Sequence, residues 1–277
     1  MGARWGFAVL AASVVACGGD AFTSAPPTDG GTTDASANDG GVDGSTGNDG
    51  GTGEGGVTDA GVVEGGGRGD ATACPTTCPP GFTCMGVVCV DDAAARFTST
   101  QNPSGNWTYG WSAQLASTFT PYLLHSTVLT TLDVWDTTPG SLRPSVFRNA
   151  SNSTVVYGGT FTMTAGELGF HPGQSNEHSI VRWTAPATGR YAIDALFTGL
   201  SGAGGAPLTT VSVTVLINGT VGSGKTINTN GGANTVSFVQ AHNQLNAGSI
   251  VDFVVDYGND GDANADPTGL RAVITTE

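Results

Sequence analysis

Beyond about residue 96 the chain repeats one pattern, in which apolar and polar residues alternate over short runs separated by turn-forming residues. Val128–Trp135, Thr154–Tyr157, Ser179–Trp183, Tyr191–Phe197, Val211–Ile217, Val236–Val239, Ile250–Val255 and Leu270–Ile274 are rich in Val, Ile, Thr and aromatic residues. A period of two sends successive side chains to opposite faces of a strand, so each run has one face to bury and one to leave in water. Asn218-Gly219, Thr188-Gly189 and Asp266-Pro267 punctuate the runs as turns. No stretch longer than a turn or two carries a helical period. The pattern predicts an all-β fold, an antiparallel β-sandwich over residues 91–277, and about 180 residues suffice to close one core.

The alternation is missing from residues 18–73, which are built of Gly, Asp, Thr, Ser and Ala. Such a segment buries too little apolar surface to offset its conformational entropy, so it reads as a disordered linker. A flexible chain of about 55 residues has an r.m.s. span of roughly 40 Å. Ten of the 23 acidic residues lie there against one base, Arg68, so most of the formal charge of −14 belongs to the linker. With a pI near 4.3 the chain would repel phosphates, which excludes nucleic acid as a partner. Arg68-Gly69-Asp70 spells an adhesion tripeptide, but in a tract of Gly and Asp it reads as a chance match.

Residues 1–17 read as a targeting segment: Arg4, then an apolar run from Trp5 to Ala16 that is too short to span a bilayer. Val14-Val15-Ala16-Cys17 resembles the bacterial lipobox. The resemblance implies cleavage before Cys17, lipidation of its thiol and a membrane anchor made of acyl chains. Gly18, rather than Asp, follows the cysteine, which by the same resemblance points to the outer membrane or the cell surface.

Cys74, Cys78, Cys84 and Cys89 crowd residues 74–90. Outside the cytoplasm four such cysteines read as two disulfides, with three pairings open. Their spacing does not match the paired short spacings of a zinc site. The CPPGFTC string resembles the small cysteine-rich knots of surface lipoproteins in myxobacteria-like organisms, which implies a rigid spacer ahead of the sandwich. A second resemblance runs over residues 97–277. Asn102–Trp111 (NPSGNWTYGW), Phe170–Gly173, Val181–Pro186, Gly189–Tyr191, Val213–Gly219 and Gly248–Phe253 are similar to an exported domain of environmental bacteria. That domain resembles galactose-binding-like, jelly-roll carbohydrate-binding modules, and the likeness implies a jelly-roll-like sandwich.

Three constellations carry candidate chemistry. Trp107, Tyr109 and Trp111 alternate, so on a strand they share a face that either stacks on sugar rings or packs the core. With His171 they are the candidate glycan-binding residues, and Trp135 and Trp183 read as core. Asp260, Asp262, Asn264 and Asp266 place four oxygen-bearing side chains at alternate positions, a candidate structural Ca²⁺ loop that is not an EF-hand. Gly219–Thr226 (GTVGSGKT) fits the phosphate-loop expression, yet the residues after it do not form the helix such a loop needs, so no nucleotide is expected.

Catalytic signatures are missing: there is no Gly-x-Ser-x-Gly elbow, and His125, His171, His178 and His242 lack zinc spacing. Glu167, Glu177 and Glu277 are the only glutamates after residue 91. The sequence thus predicts a non-catalytic surface protein that binds extracellular or cell-wall glycans. The alternatives are an adhesive protein that packs against protein partners and, behind it, a polysaccharide-active enzyme.

Overall fold

The computed structural model describes residues 77–205, 207–229, 232 and 234–277. The predicted signal segment, Cys17, the linker and Cys74 lie outside the described residues.

In chain order the strands are β1 (Thr83–Met85), β2 (Val88–Asp92), β3 (Trp107–Ser112), β4 (Thr120–Pro121), β5 (Leu124–Val128), β6 (Leu132–Asp136), β7 (Ser145–Asn149), β8 (Val155–Tyr157) and β9 (Phe161–Met163). They continue as β10 (Leu168–His171), β11 (His178–Thr184), β12 (Gly189–Gly199), β13 (Thr210–Ile217), β14 (Thr220–Asn228), β15 (Thr235–Leu245), β16 (Ile250–Asp256) and β17 (Thr268–Thr276). One short helix, α1 (Ala93–Arg96), starts where Asp92 accepts hydrogen bonds from the amides of Ala94 and Ala95.

The strands form an antiparallel β-sandwich of a nine-stranded and a six-stranded sheet, plus a separate β8–β9 hairpin. The smaller sheet runs β14-β13-β16-β11-β3-β4. In the larger, β17 is the hub: β12 pairs along one side of it, while β10 and β2 share the other. The order then continues from β10 through β7 and β6 to β5, and β15 lies beyond β12.

Alternation explains how the sheets meet. Along β12, Tyr191, Ile193, Ala195 and Phe197 point inward and are buried, with less buried residues between them. They face Trp107, Tyr109, Val181, Trp183, Val213 and Phe253 of the smaller sheet in one core cluster. At about 25 cal/mol per Å² of apolar surface removed from water, this layer is the main favourable term for folding.

Several strands bury both faces. On β6 and β7, Trp135 and Val146 face the main core, while Leu132, Val134 and Phe147 face outward. The β8–β9 hairpin covers this outer face with Tyr157, Phe161 and Met163. Gly169 of β10 makes room for the layer, because a Cβ there would lie 2.7 Å from the Phe147 ring. On the opposite sheet Ile180, Leu216 and Val254 lie under Phe119, and Arg182 stacks on that ring at 3.9 Å while pairing with Asp252 through both carboxylate oxygens.

The cysteine segment belongs to the sandwich. The sequence reading set it apart as a spacer over 74–90, but that boundary falls inside β2, which pairs with β17. Cys78 is bonded to Cys89, whose side chain is buried, and Cys84 is also disulfide-bonded. Phe82 packs against Trp183 and Tyr191. Asp91, fully buried, ties the segment to the core: Oδ1 accepts the indole N–H of Trp107 at 2.9 Å, and Oδ2 accepts that of Trp183 at 3.0 Å. Asn106 and Arg96 donate to the same carboxylate, and each also reaches a carbonyl in the cysteine segment, Pro80 and Gly81 respectively.

Candidate functional site

Burial removes two of the candidate glycan-stacking residues. Trp107 and Tyr109 have no exposed surface, and a ring without exposed surface cannot stack on a sugar. Trp111 is half-buried against the same core, and Trp135 and Trp183 are buried as well. The shared face inferred from the alternation exists; it is the inner one.

The acidic loop forms a chain of local turns in place of a cage. Asp260 Oδ1 accepts the Asp262 amide, and Asp262 Oδ1 accepts both the amide and the side-chain N–H of Asn264. Asp266 turns inward, is fully buried, and accepts the Thr210 amide through Oδ1. Among the described residues no three acidic, histidine or cysteine side chains converge as a metal would require. Calcium binds six to eight oxygens, and these four residues do not fit it. Burial pushes the Asp266 carboxyl up to about 8, helped by the nearby charges of Asp260 and Asp262, so it holds its proton at neutral pH. Its Oδ2 has no hydrogen-bond partner.

Gly219–Thr226 is likewise settled by pairing. Thr220–Asn228 is strand β14, whose backbone pairs with β13. A phosphate cradle needs free amides at a helix N-terminus, and none exists here. Lys225 crosses to the other sheet, donating to the Ser237 carbonyl at 2.7 Å and lying over Phe238.

Two sequence-predicted site residues, His171 and Asn264, line one cavity. The β8–β9 hairpin contributes Tyr157 and Phe161 to its wall, the β6–β7 loop contributes Arg143, and the loop after β12 contributes Ser201. Gln174 follows β10, and Asn264, Ala265 and Pro267 come from the β16–β17 loop. Its volume is about 470 Å³, within the roughly 300–1,000 Å³ usual for small-ligand pockets.

The cavity walls carry backbone strain. Eight non-glycine residues have positive φ among the described residues, and three of them, Leu129, Leu142 and Ala265, line this cavity. A left-handed conformation costs such residues roughly 1–2 kcal/mol each, and strain of this kind concentrates at ligand sites.

The polar groups have defined roles. His171 is buried, and burial pushes its imidazole down to about 3, with Arg143 adding to the effect. The ring is therefore neutral. Its Nδ1 lies 2.8 Å from the Pro172 carbonyl, which can only accept, so Nδ1 carries the proton and Nε2 is an acceptor. Arg143 donates from Nη1 to Asn264 Oδ1 at 2.8 Å. The Ser201 hydroxyl is buried without a partner. Tyr157 and Phe161 stack at 5.4 Å, and the Tyr157 hydroxyl is held by Thr131 and Asn149. Arg143, Gln174 and Ser201 escaped the sequence reading, and Asn264 entered it only as a calcium candidate, because no local pattern links them; Arg143 and Asn264 stand 121 residues apart.

No family model matches the chain, and no curated protein matches it. Solved structures similar to it include the CBM51-2 and INT domains of Clostridium perfringens ZmpB in complex with GlcNAc: 15% identity, TM-score 0.35, over 52% of this chain and 30% of that one. The chain thus spans about a third of the length of that protein. A family 35 carbohydrate-binding module from Clostridium thermocellum is also similar, at 15% identity and TM-score 0.26, over 45% of this chain and 88% of that module. A family 35 module from an environmental isolate gives 16% and 0.26. At these identities and scores the sandwich assignment rests on the chain's own strand pairing.

Proposed function

We propose that the sandwich is a non-catalytic carbohydrate-binding domain and that its ligand enters the cavity beside His171. The observation that carries this is the convergence of the His171 imidazole, the Arg143 guanidinium, Gln174 and Asn264 with apolar side chains on one cavity. Sugars offer the matching chemistry, hydroxyls around a ring with apolar C–H faces, and a few placed polar groups in an apolar pocket give orientation and specificity. The resemblance of residues 97–277 to carbohydrate-binding jelly rolls points the same way.

What lines the cavity supports binding over hydrolysis. Glycosidases place two carboxyl groups across the scissile bond, and no Asp or Glu is among the lining residues. Nearby glutamates are used locally: Glu167 accepts the Thr164 amide and Glu177 the Ser175 amide.

We also propose that the domain is exported and held by lipid on Cys17, with the 18–73 linker lifting it off an outer-membrane or cell surface. The lipobox-like VVAC and the Gly/Asp composition support this. A glycan array probed with the full chain carrying Cys17→Ser tests the binding function, and Arg143→Ala serves as the control that must lose the signal. An array with no binder, or binding that survives Arg143→Ala unchanged, overturns the assignment to this cavity.

A further inference from the structure

Resting on the carbohydrate reading, we infer that the cavity selects an uncharged sugar end group and that His171 reads one of its hydroxyls as a hydrogen-bond acceptor. The tautomer decides the role of the histidine. Because Nδ1 donates to the Pro172 carbonyl, Nε2 offers only a lone pair to the cavity, and it can be satisfied by a ligand O–H but not by a ring oxygen or a carbonyl. Arg143 has the opposite requirement, since a guanidinium only donates. A ligand that meets both must give a proton to one group and accept one from the other, as two hydroxyls of one sugar do.

Charge selection follows from what surrounds these groups. A cationic sugar would bring an ammonium to a cavity whose lining holds no carboxylate, and an unpaired ammonium out of water is strongly disfavoured. An anionic sugar would find Arg143, the only cation in the lining. That guanidinium is already bonded to Asn264, which is bonded in turn to Asp262, and Arg143 and Asp262 together line the adjoining cleft. Asp260 lies two residues further along the same loop. These acidic neighbours oppose the pull of Arg143 on an added carboxylate. His171 adds no charge, because burial keeps it neutral. An uncharged ring meets none of these penalties.

Calorimetry on the full chain carrying Cys17→Ser tests this, with the methyl glycosides of glucose, galactose and mannose as neutral probes. Methyl glucuronide and methyl glucosaminide are their charged counterparts. At least one neutral probe is expected to bind at least tenfold more tightly than either charged one, with an affinity that stays flat from pH 5 to pH 7. For that probe, removing one ring hydroxyl should cost at least tenfold in the wild type, and the same removal should cost nothing in His171→Phe. Should His171→Phe not fold, as judged by far-UV circular dichroism, the monodeoxy series on the wild type still decides. Affinity indifferent to every hydroxyl overturns the inference. Equal or tighter binding of a charged probe overturns the selectivity while leaving carbohydrate binding intact. Failure of every probe, charged or neutral, overturns the carbohydrate reading itself.

Discussion

Asp91 is the position where a single atom matters most to this fold. Its carboxylate accepts four donors: Trp107 and Arg96 at Oδ1, and Trp183 and Asn106 at Oδ2. Asp91→Asn keeps the shape and turns one oxygen into an N–H₂ group, so two of the four donors then face another donor. Hydrogen bonds to a charged group contribute about 1.5–3 kcal/mol each, and breaking a buried ionic contact costs about 3–5 kcal/mol. Asp91→Asn should therefore destabilise the chain by about 3–5 kcal/mol, a large share of the roughly 5–15 kcal/mol by which domains are stable. Asp92→Ala, next door, removes only the cap of α1 and should cost about 1 kcal/mol. Urea unfolding followed by tryptophan fluorescence, with circular dichroism as a second probe, measures both. If Asp91→Asn lies within about 1 kcal/mol of the wild type, the carboxylate is not what locks the cysteine segment to the core, and the argument fails.

Three further outcomes are expected. Replacing Cys78 and Cys89 together by Ala opens a loop of sequence separation 11 and should lower stability by about 3 kcal/mol on the chain-entropy model; an unchanged urea midpoint contradicts this. Asp266 holds its proton to about pH 8 when folded and releases it near 4 when unfolded, so the folded state binds more protons in between and stability falls as pH rises through that range. Between pH 7 and 8, where His171 is neutral when folded and mostly neutral when unfolded, the wild type should lose about 1 kcal/mol and Asp266→Asn should stay nearly level; a wild-type midpoint that rises with pH refutes the assignment. Labelled palmitate should enter the exported chain and fail to enter Cys17→Ser, and equal labelling of the two removes the anchor from the scheme.

Where alternation was strong, the sequence determined the strands. Tyr191–Phe197 lies within β12, Val211–Ile217 within β13, and Ile250–Val255 within β16, because the pleat writes a period of two into any strand with one buried face. Where that signal faded, the expectation failed. β14 is almost wholly exposed and contains two glycines, so no apolar alternation marks it, and its pairing with β13 as the second arm of a hairpin makes it a strand. β15 runs on through the polar Gln240–Gln244 because β12 pairs with it there.

The alternation of Trp107, Tyr109 and Trp111 showed that they share a face, but only the second sheet decided that the face is interior. The cysteines announced disulfides, and the fold chose Cys78–Cys89 and joined the segment to the sheet through β2. The cavity was the least legible feature. Its residues come from six separate stretches of chain whose proximity is set by strand pairing over long separations. A strand's pattern is local because it arises from backbone geometry, whereas a site built from loops takes its arrangement from the sheets that hold those loops together.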